Sequence, residues 1–312
     1  MSTFYNANLV VIQATFTGLL LALSIQVPMR MGVFSFSGAG CYGLGAYVCG
    51  ILVARYDVPA PLAIVAAVVG ATIISFLLGA LISGLTGLYL AMATVAFDLI
   101  ISVVAINGGD FTGGSTGLYG VISDFTTGHL AVVALVALVL VALTELGTLG
   151  RRIDTVRHDP ELALSMGIHV RWYRLAAFAA SGALGAAGGA MNILVRSYVS
   201  PLEIGFPLIV LALTMIIVGG ALSWRGAVIG ALIFTWLPEV LTAIGEWQTL
   251  VYGVIVAVAA VMLPGGLYGL WTDLRRLWVS RKHQITSGPQ AALASAGNAT
   301  GSSGDQREEV RS

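Results

Sequence analysis

Charge is scarce in this sequence. Only 10% of its 312 residues are Asp, Glu, Lys or Arg, and the formal net charge is zero. Soluble domains carry roughly a quarter charged residues, so this chain cannot coat a water-facing surface of its size. Lysine is scarcer still: the one lysine, Lys282, follows Arg281. A phosphate-binding P-loop needs a lysine directly after its glycines, so a nucleotide site of that kind is excluded. The two cysteines, Cys41 and Cys49, lie in one apolar run, roughly 12 Å apart along a helix. That is too far for a disulfide, and they read as small packing residues. The four histidines, His129, His158, His169 and His283, sit at the ends of apolar runs or between them. No catalytic grouping, metal cluster or cofactor motif emerges, no histidine is placed mid-run as a proton relay, and no carboxylate cluster suggests a sodium site. Gly38-Ala-Gly-Cys-Tyr-Gly43 matches a dinucleotide fingerprint, but no strand precedes it, and the fingerprint needs that context.

What the chain has in abundance is apolar length. It is 57% hydrophobic, with a mean hydropathy of +0.92 and 39 glycines. Apolar runs fall near 8–27, 32–53, 60–82, 86–107, 129–147, 174–195, 205–222, 227–245 and 249–270, about nine in all. Alternation of the barrel type is absent, and within lipid only helices satisfy their own backbone groups over such runs. The expected fold is therefore an all-α polytopic membrane protein with about nine transmembrane helices. The N-terminus lacks a basic segment before its apolar run, which reads as a retained first span.

Arginines set the expected orientation. The 148–174 segment and the stretch after Trp271 (Arg275, Arg276, Arg281, Lys282) hold much of the basic charge, so both are expected on the cytoplasmic side. Counting spans from there places Arg30 and Arg225 in cytoplasmic turns. Residues 107–128, with Asp110 and Asp124 but no Lys or Arg, then fall outside, as does the N-terminus. Arg55 and Arg196 are the exceptions, one in each of two outer loops. Residues 1–272 form the expected membrane domain, and 273–312 a basic and then disordered cytoplasmic tail.

The segment Gly150–Arg174 carries the densest interruption. Asp159 suits an N-cap, Pro160 the first helical position, Glu161 the positive end of the helix dipole, and Gly167 a left-handed stop. A short helix over Pro160–Met166 is expected outside the bilayer. It would expose Leu162, Leu164 and Met166 and be flanked by arginines.

Glu161-Leu162-Ala163-Leu-Ser-Met-Gly167 resembles the EAA-x-x-x-G loop of ABC importer permeases, with Leu162 in place of the second alanine. Gly32–Tyr47, Gly87–Phe97, Thr112–Leu118, Gly150–Val170, Val218–Gly230 and Pro264–Leu267 resemble, in order, blocks of the permeases of branched-chain amino acid importers. The likeness runs from about residue 8 to 272. One departure is Asp98 after Phe97, where the family pattern has Gly and then Glu. The resemblance implies a permease subunit in a bacterial cytoplasmic membrane. It would be driven by separate ATPase subunits that dock on the 150–174 loop, where Arg157, Asp159, Glu161, Ala163 and Gly167 are the coupling residues. It also implies a second permease (a heterodimer), an extracytoplasmic substrate-binding protein and a lipid surround; nucleic acid is no partner. Branched-chain amino acids are the implied substrate, and the wider family includes urea-type and sugar permeases.

Polar residues are sparse within the runs, and Gln13, Asp98, Asn192, Thr214 and Glu239 are among them. Intramembrane polar groups mark transport paths or interhelical hydrogen bonds, and Asp98, Asn192 and Glu239 are the pathway candidates. An ion-coupled secondary transporter working through Asp98 or Glu239 is the competing reading.

Overall fold

The computed structural model describes residues 8–262 and 266–269. Chain contacts divide the protein into two units, Met1–Tyr268 and Gly269–Ser312. The expected tail over 273–312 lies outside the described residues, as do Arg275, Arg276, Arg281 and Lys282.

The first unit is helical. In chain order it comprises α1 (Leu9–Arg30), α2 (Ser37–Tyr56), α3 (Ala60–Leu81), α4 (Gly87–Asn107), α5 (Thr127–Thr144), α6 (Gly147–His158), α7 (Pro160–Ser165), α8 (Val170–Arg196), α9 (Phe206–Gly219), α10 (Trp224–Leu241) and α11 (Gln248–Met262). Two short strands, β1 (Leu118–Tyr119) and β2 (Tyr198–Val199), pair antiparallel, with Leu118 opposite Val199. Seven helices are long and apolar enough to cross a membrane: α1 to α5, α8 and α10. The runs expected at 205–222 and 249–270 form helices of 14 and 15 residues, α9 and α11. At 1.5 Å per residue these are about 21 and 23 Å long, against a hydrocarbon core of ~30 Å. α9 stops where Gly220 takes a positive φ of 119° and the chain turns directly into α10.

Two boundaries differ from the sequence expectation for physical reasons. The run expected over 129–147 ends at Thr144. Gly147 then adopts a left-handed φ of 66° and starts α6, a helix the charged text had concealed. Its buried residues Gly150, Ile153 and Val156 recur every third position, while Arg151, Arg152 and Asp154 face outward. The run expected from 174 begins earlier, at Val170, so Arg171 and Arg174 ride on the first turns of α8.

α8 is the centre of the unit and packs on α1, α2 and α3. Against α2 the fit is backbone to backbone. A Cβ on Gly189 would overlap the Tyr42 carbonyl, one on Gly185 the Gly38 carbonyl, and one on Gly45 the Ala186 carbonyl. Without a hydrophobic drive between helices in lipid, such close approach supplies the packing. The Gly226/Gly230 pair does the same for α10, where Gly230 meets the Met215 backbone of α9. The glycine-rich runs thus serve as interfaces, and Cys41 and Cys49 are free and buried among them.

The turns sort into two ends. One end gathers residues 30–36, 82–87, 145–170 and 219–225: Arg30 pairs with Glu145, Glu145 bonds to Trp224, and Gly32 lies against Arg157. The other gathers 57–59, 108–126 and 197–205, tied by the β1–β2 pair and by Arg55 over the Phe111 ring. The first end with the first turn of α8 holds Arg30, Arg151, Arg152, Arg157, Arg171, Arg174 and Arg225 against Glu145, Asp154, Asp159 and Glu161. Among the described residues of its three turns and the helix ends beside them, the second holds Arg55 and Arg196 against Asp57, Asp110, Asp124 and Glu203.

Candidate functional site

The α6–α7 segment is fixed locally. Asp159 has extended backbone, and its Oδ1 accepts from the backbone N–H of Glu161 at 3.0 Å and of Leu162 at 2.9 Å. Pro160 takes the first helical position, where its missing N–H costs nothing. At the far end Gly167 has φ 78°; its N–H donates to the Leu164 carbonyl at 3.0 Å, and the Ile168 N–H donates to Ala163 at 2.9 Å. This is a Schellman closure. The helix ends at Ser165 with Met166 as C-cap, one residue before the expected boundary.

Only Ala163 of α7 is buried, in a small cluster with Val156 of α6 and Val170 of α8. Leu162, Leu164 and Met166 are 52, 58 and 65% exposed. Glu161 is exposed in the first turn beside them, and Arg157 is partly buried with its backbone against Gly32. The five expected coupling residues therefore occupy one small unit. Asp159 and Gly167 hold its ends, Ala163 seats it, Arg157 adjoins the α1–α2 turn, and Glu161 faces out.

A polar node that sequence reasoning missed joins this unit to the bundle. The Arg30 guanidinium, buried at the end of α1, donates to Thr144 Oγ1 at 3.1 Å and lies 3.9 Å from Glu145. Glu145 in turn accepts from the Trp224 N–H at 2.8 Å and the Ser223 hydroxyl at 3.4 Å, at the start of α10. One carboxylate so ties α1, the α5–α6 junction and α10 together. The available signal was a lone arginine and a lone glutamate at the ends of two runs that span counting puts on one face.

The pathway candidates do not converge. Asn192 of α8 lines a cavity of about 370 Å³ bounded by α1, α2, α8, α9 and α10, with Thr17, Tyr42 and Thr235 as further polar groups and Leu21, Leu211 and Phe234 as apolar wall. Arg196 and Glu203, 3.9 Å apart and largely exposed, also line it. Pro238 reaches this cavity, but Glu239 is exposed and does not. Asp98 is fully buried elsewhere, on α4 against Gly40, and neither carboxylate oxygen has a hydrogen-bond partner among the described residues. Gln13 donates to Thr127 at 2.8 Å and Thr214 to the Leu211 carbonyl at 2.7 Å, so these two act as hydrogen-bonding groups.

Comparison with known proteins agrees with this architecture. The chain is 25% identical over 308 residues to the high-affinity branched-chain amino acid transport system permease protein LivM of Escherichia coli K12, covering 88% of this chain and 72% of that protein. The LivM of Salmonella typhimurium LT2 is 24% identical over 289 residues, covering 80% of this chain and 67% of its own length. No solved structure matches. The family model described as the branched-chain amino acid transport system permease component matches residues 9–270, essentially the whole helical unit. With its membrane-length helices and that match, the chain belongs to this family of multi-pass membrane permeases.

Proposed function

We propose that the chain is the translocating half-channel of an ABC importer for branched-chain amino acids and that α7 receives the force of a separate ATPase. The observation that carries the reading is the α7 unit: a helix closed at both ends by hydrogen bonds that presents Leu162, Leu164 and Met166 to the outside. Burying one such side chain contributes roughly 1.5–3 kcal/mol, which a socket on a partner would supply. The basic excess at the α6–α7 end favours the cytoplasm for that face, giving N-out and C-in. Counting α9 and α11 with the seven longer helices gives nine spans across residues 1–272, with 273–312 as a cytoplasmic tail.

The relatives named for high-affinity branched-chain amino acid transport supply the substrate class. The cavity beside Asn192 suits it, because an aliphatic side chain gains roughly 25 cal/mol per Å² of apolar contact and its walls are largely apolar. A second, similar permease and an extracytoplasmic binding protein complete the assembly. The test is affinity capture of the tagged chain from native membranes, with wild type beside a Glu161→Arg/Leu162→Ser variant. An ATPase and a second permease are expected with wild type, and the variant retains the permease and loses the ATPase. Equal ATPase recovery with the variant, or ion-driven uptake by the purified chain alone in liposomes, refutes the reading.

A further inference from the structure

A second cavity, of about 340 Å³, opens at the end of the bundle that carries α6 and α7. One side is the turn between α3 and α4, Ser83-Gly84-Leu85-Thr86-Gly87, and the other is the start of α8, which contributes Arg171 and Arg174. Three apart on one helix, the two arginines share a face, and both line the space. Among the described residues no carboxylate lines it. Among the described residues neither arginine has an ion-pair partner, and the buried Arg174 Nε has no hydrogen-bond partner. A buried donor left without an acceptor is costly, so the site calls for one.

α4 begins at the same place. Its N-cap, Thr86, is extended and makes no side-chain capping bond, so the first backbone N–H groups and the positive end of the helix add to the field of the guanidiniums. This combination selects an oxyanion, and forked guanidinium donors favour a phosphate.

The surroundings say what else the ligand carries. Leu81, Leu88 and Tyr89 on the flanks are exposed, and so is Trp172 beside Arg171. In a membrane protein, exposed aromatics next to arginine mark the headgroup level, and exposed leucines below them face acyl chains. A free anion would use the arginines and ignore the apolar flanks, whereas a phospholipid uses both. We propose that this cavity binds the headgroup phosphate of one anionic phospholipid, clamped by Arg171, Arg174 and the first turn of α4, with its chains along α3 and α4. The site needs neither the orientation nor the ATPase docking argued above. It would fasten the α3–α4 turn to α8 five residues beyond the α7 unit.

The experiment is native mass spectrometry of the detergent-purified full chain, titrated with phosphatidylglycerol or phosphatidylcholine. Wild type should retain phosphatidylglycerol over phosphatidylcholine by roughly 25-fold, about five-fold for each arginine. R171Q/R174Q should abolish the preference and R171K/R174K should keep part of it. Ser83→Glu, which sets a carboxylate in the cavity and leaves both arginines in place, should lower retention by a similar factor. Four outcomes would overturn the proposal: equal retention of both lipids by wild type; a wild-type preference kept by Ser83→Glu and R171Q/R174Q; displacement of all the phosphatidylglycerol by excess inorganic phosphate, which marks a free-anion site; and lipid kept by R171Q/R174Q with loss instead of a co-purifying protein, which marks an acidic protein surface.

Discussion

The α2–α8 crossing and the α6–α7 unit are built on opposite plans. At the crossing, rigidity comes from removing side chains: Gly38, Gly45, Gly185 and Gly189 bring two backbones into contact, with nothing between them that could give way. In the α6–α7 unit, rigidity comes from hydrogen bonds within the segment itself, two from Asp159 and two around Gly167, while only Ala163 of α7 is buried. The first is a fixed fulcrum that a lipid surround can support. The second keeps its shape with little help from neighbours, which suits the docking role proposed for it. The Arg30–Glu145–Trp224 node lies between the two and ties the junction before α6 to the ends of α1 and α10.

The largest effect should come from filling the crossing. Gly189→Leu forces a side chain into the Tyr42 carbonyl and to within 3.0 Å of the Ala46 nitrogen, both backbone atoms that cannot rotate away. Overpacking costs about 1–3 kcal/mol where side chains can shift, and here it should reach or pass about 3 kcal/mol. The measurement is accumulation of monodisperse protein in membranes and its thermal midpoint in detergent, where a near-total loss is expected. A variant with wild-type stability would mean that α2 and α8 are not locked.

An intermediate effect is expected at the node. Glu145→Ala leaves the Arg30 guanidinium, whose side chain is 8% exposed, without its counter-charge, and leaves the Trp224 N–H without an acceptor. Uncompensated buried charges cost about 3–5 kcal/mol. The 3.9 Å separation and the 20% exposure of Glu145 bring this to about 2 kcal/mol. Arg30→Met/Glu145→Leu should recover part of that, because the stranded charge is gone. If the single and double variants melt together, the node contributes through the Trp224 bond alone.

These contrasts explain what could be read without coordinates. Long apolar runs and end-capping residues are local signals, so the bundle and α7 were legible, the latter to within one residue. α6 was not, because its apolar face is only Gly150, Ile153 and Val156 among charged neighbours, a pattern that resembles a loop until burial is known. The node and the lipid-facing cavity depend on residues more than eighty positions apart, Arg30 with Glu145 and Ser83 with Arg171. Span counting gives the side of such residues but not the pairing. Asp98 and Glu239 drew notice as rare charges in apolar runs, yet helix rotation decides which cavity a residue faces, and rotation on a helix apolar all round leaves no mark in the text.

The smallest effect on the fold should come from the cap. Asp159→Ala removes the acceptor for two N–H groups, worth about 1 kcal/mol. A six-residue helix has almost no stability of its own, so that loss falls on α7 and leaves the α2–α8 crossing untouched. Hydrogen exchange should therefore quicken several-fold at the amides of residues 161–166 and remain unchanged along α2, with the thermal midpoint nearly constant. Asp159→Asn, an equally good cap, should restore protection, and uptake by the assembled importer should follow protection across the three proteins. If Asp159→Ala leaves those amides as slow as before, then Ala163, Val156 and Val170 hold the unit by packing. The two regions would then differ only in degree.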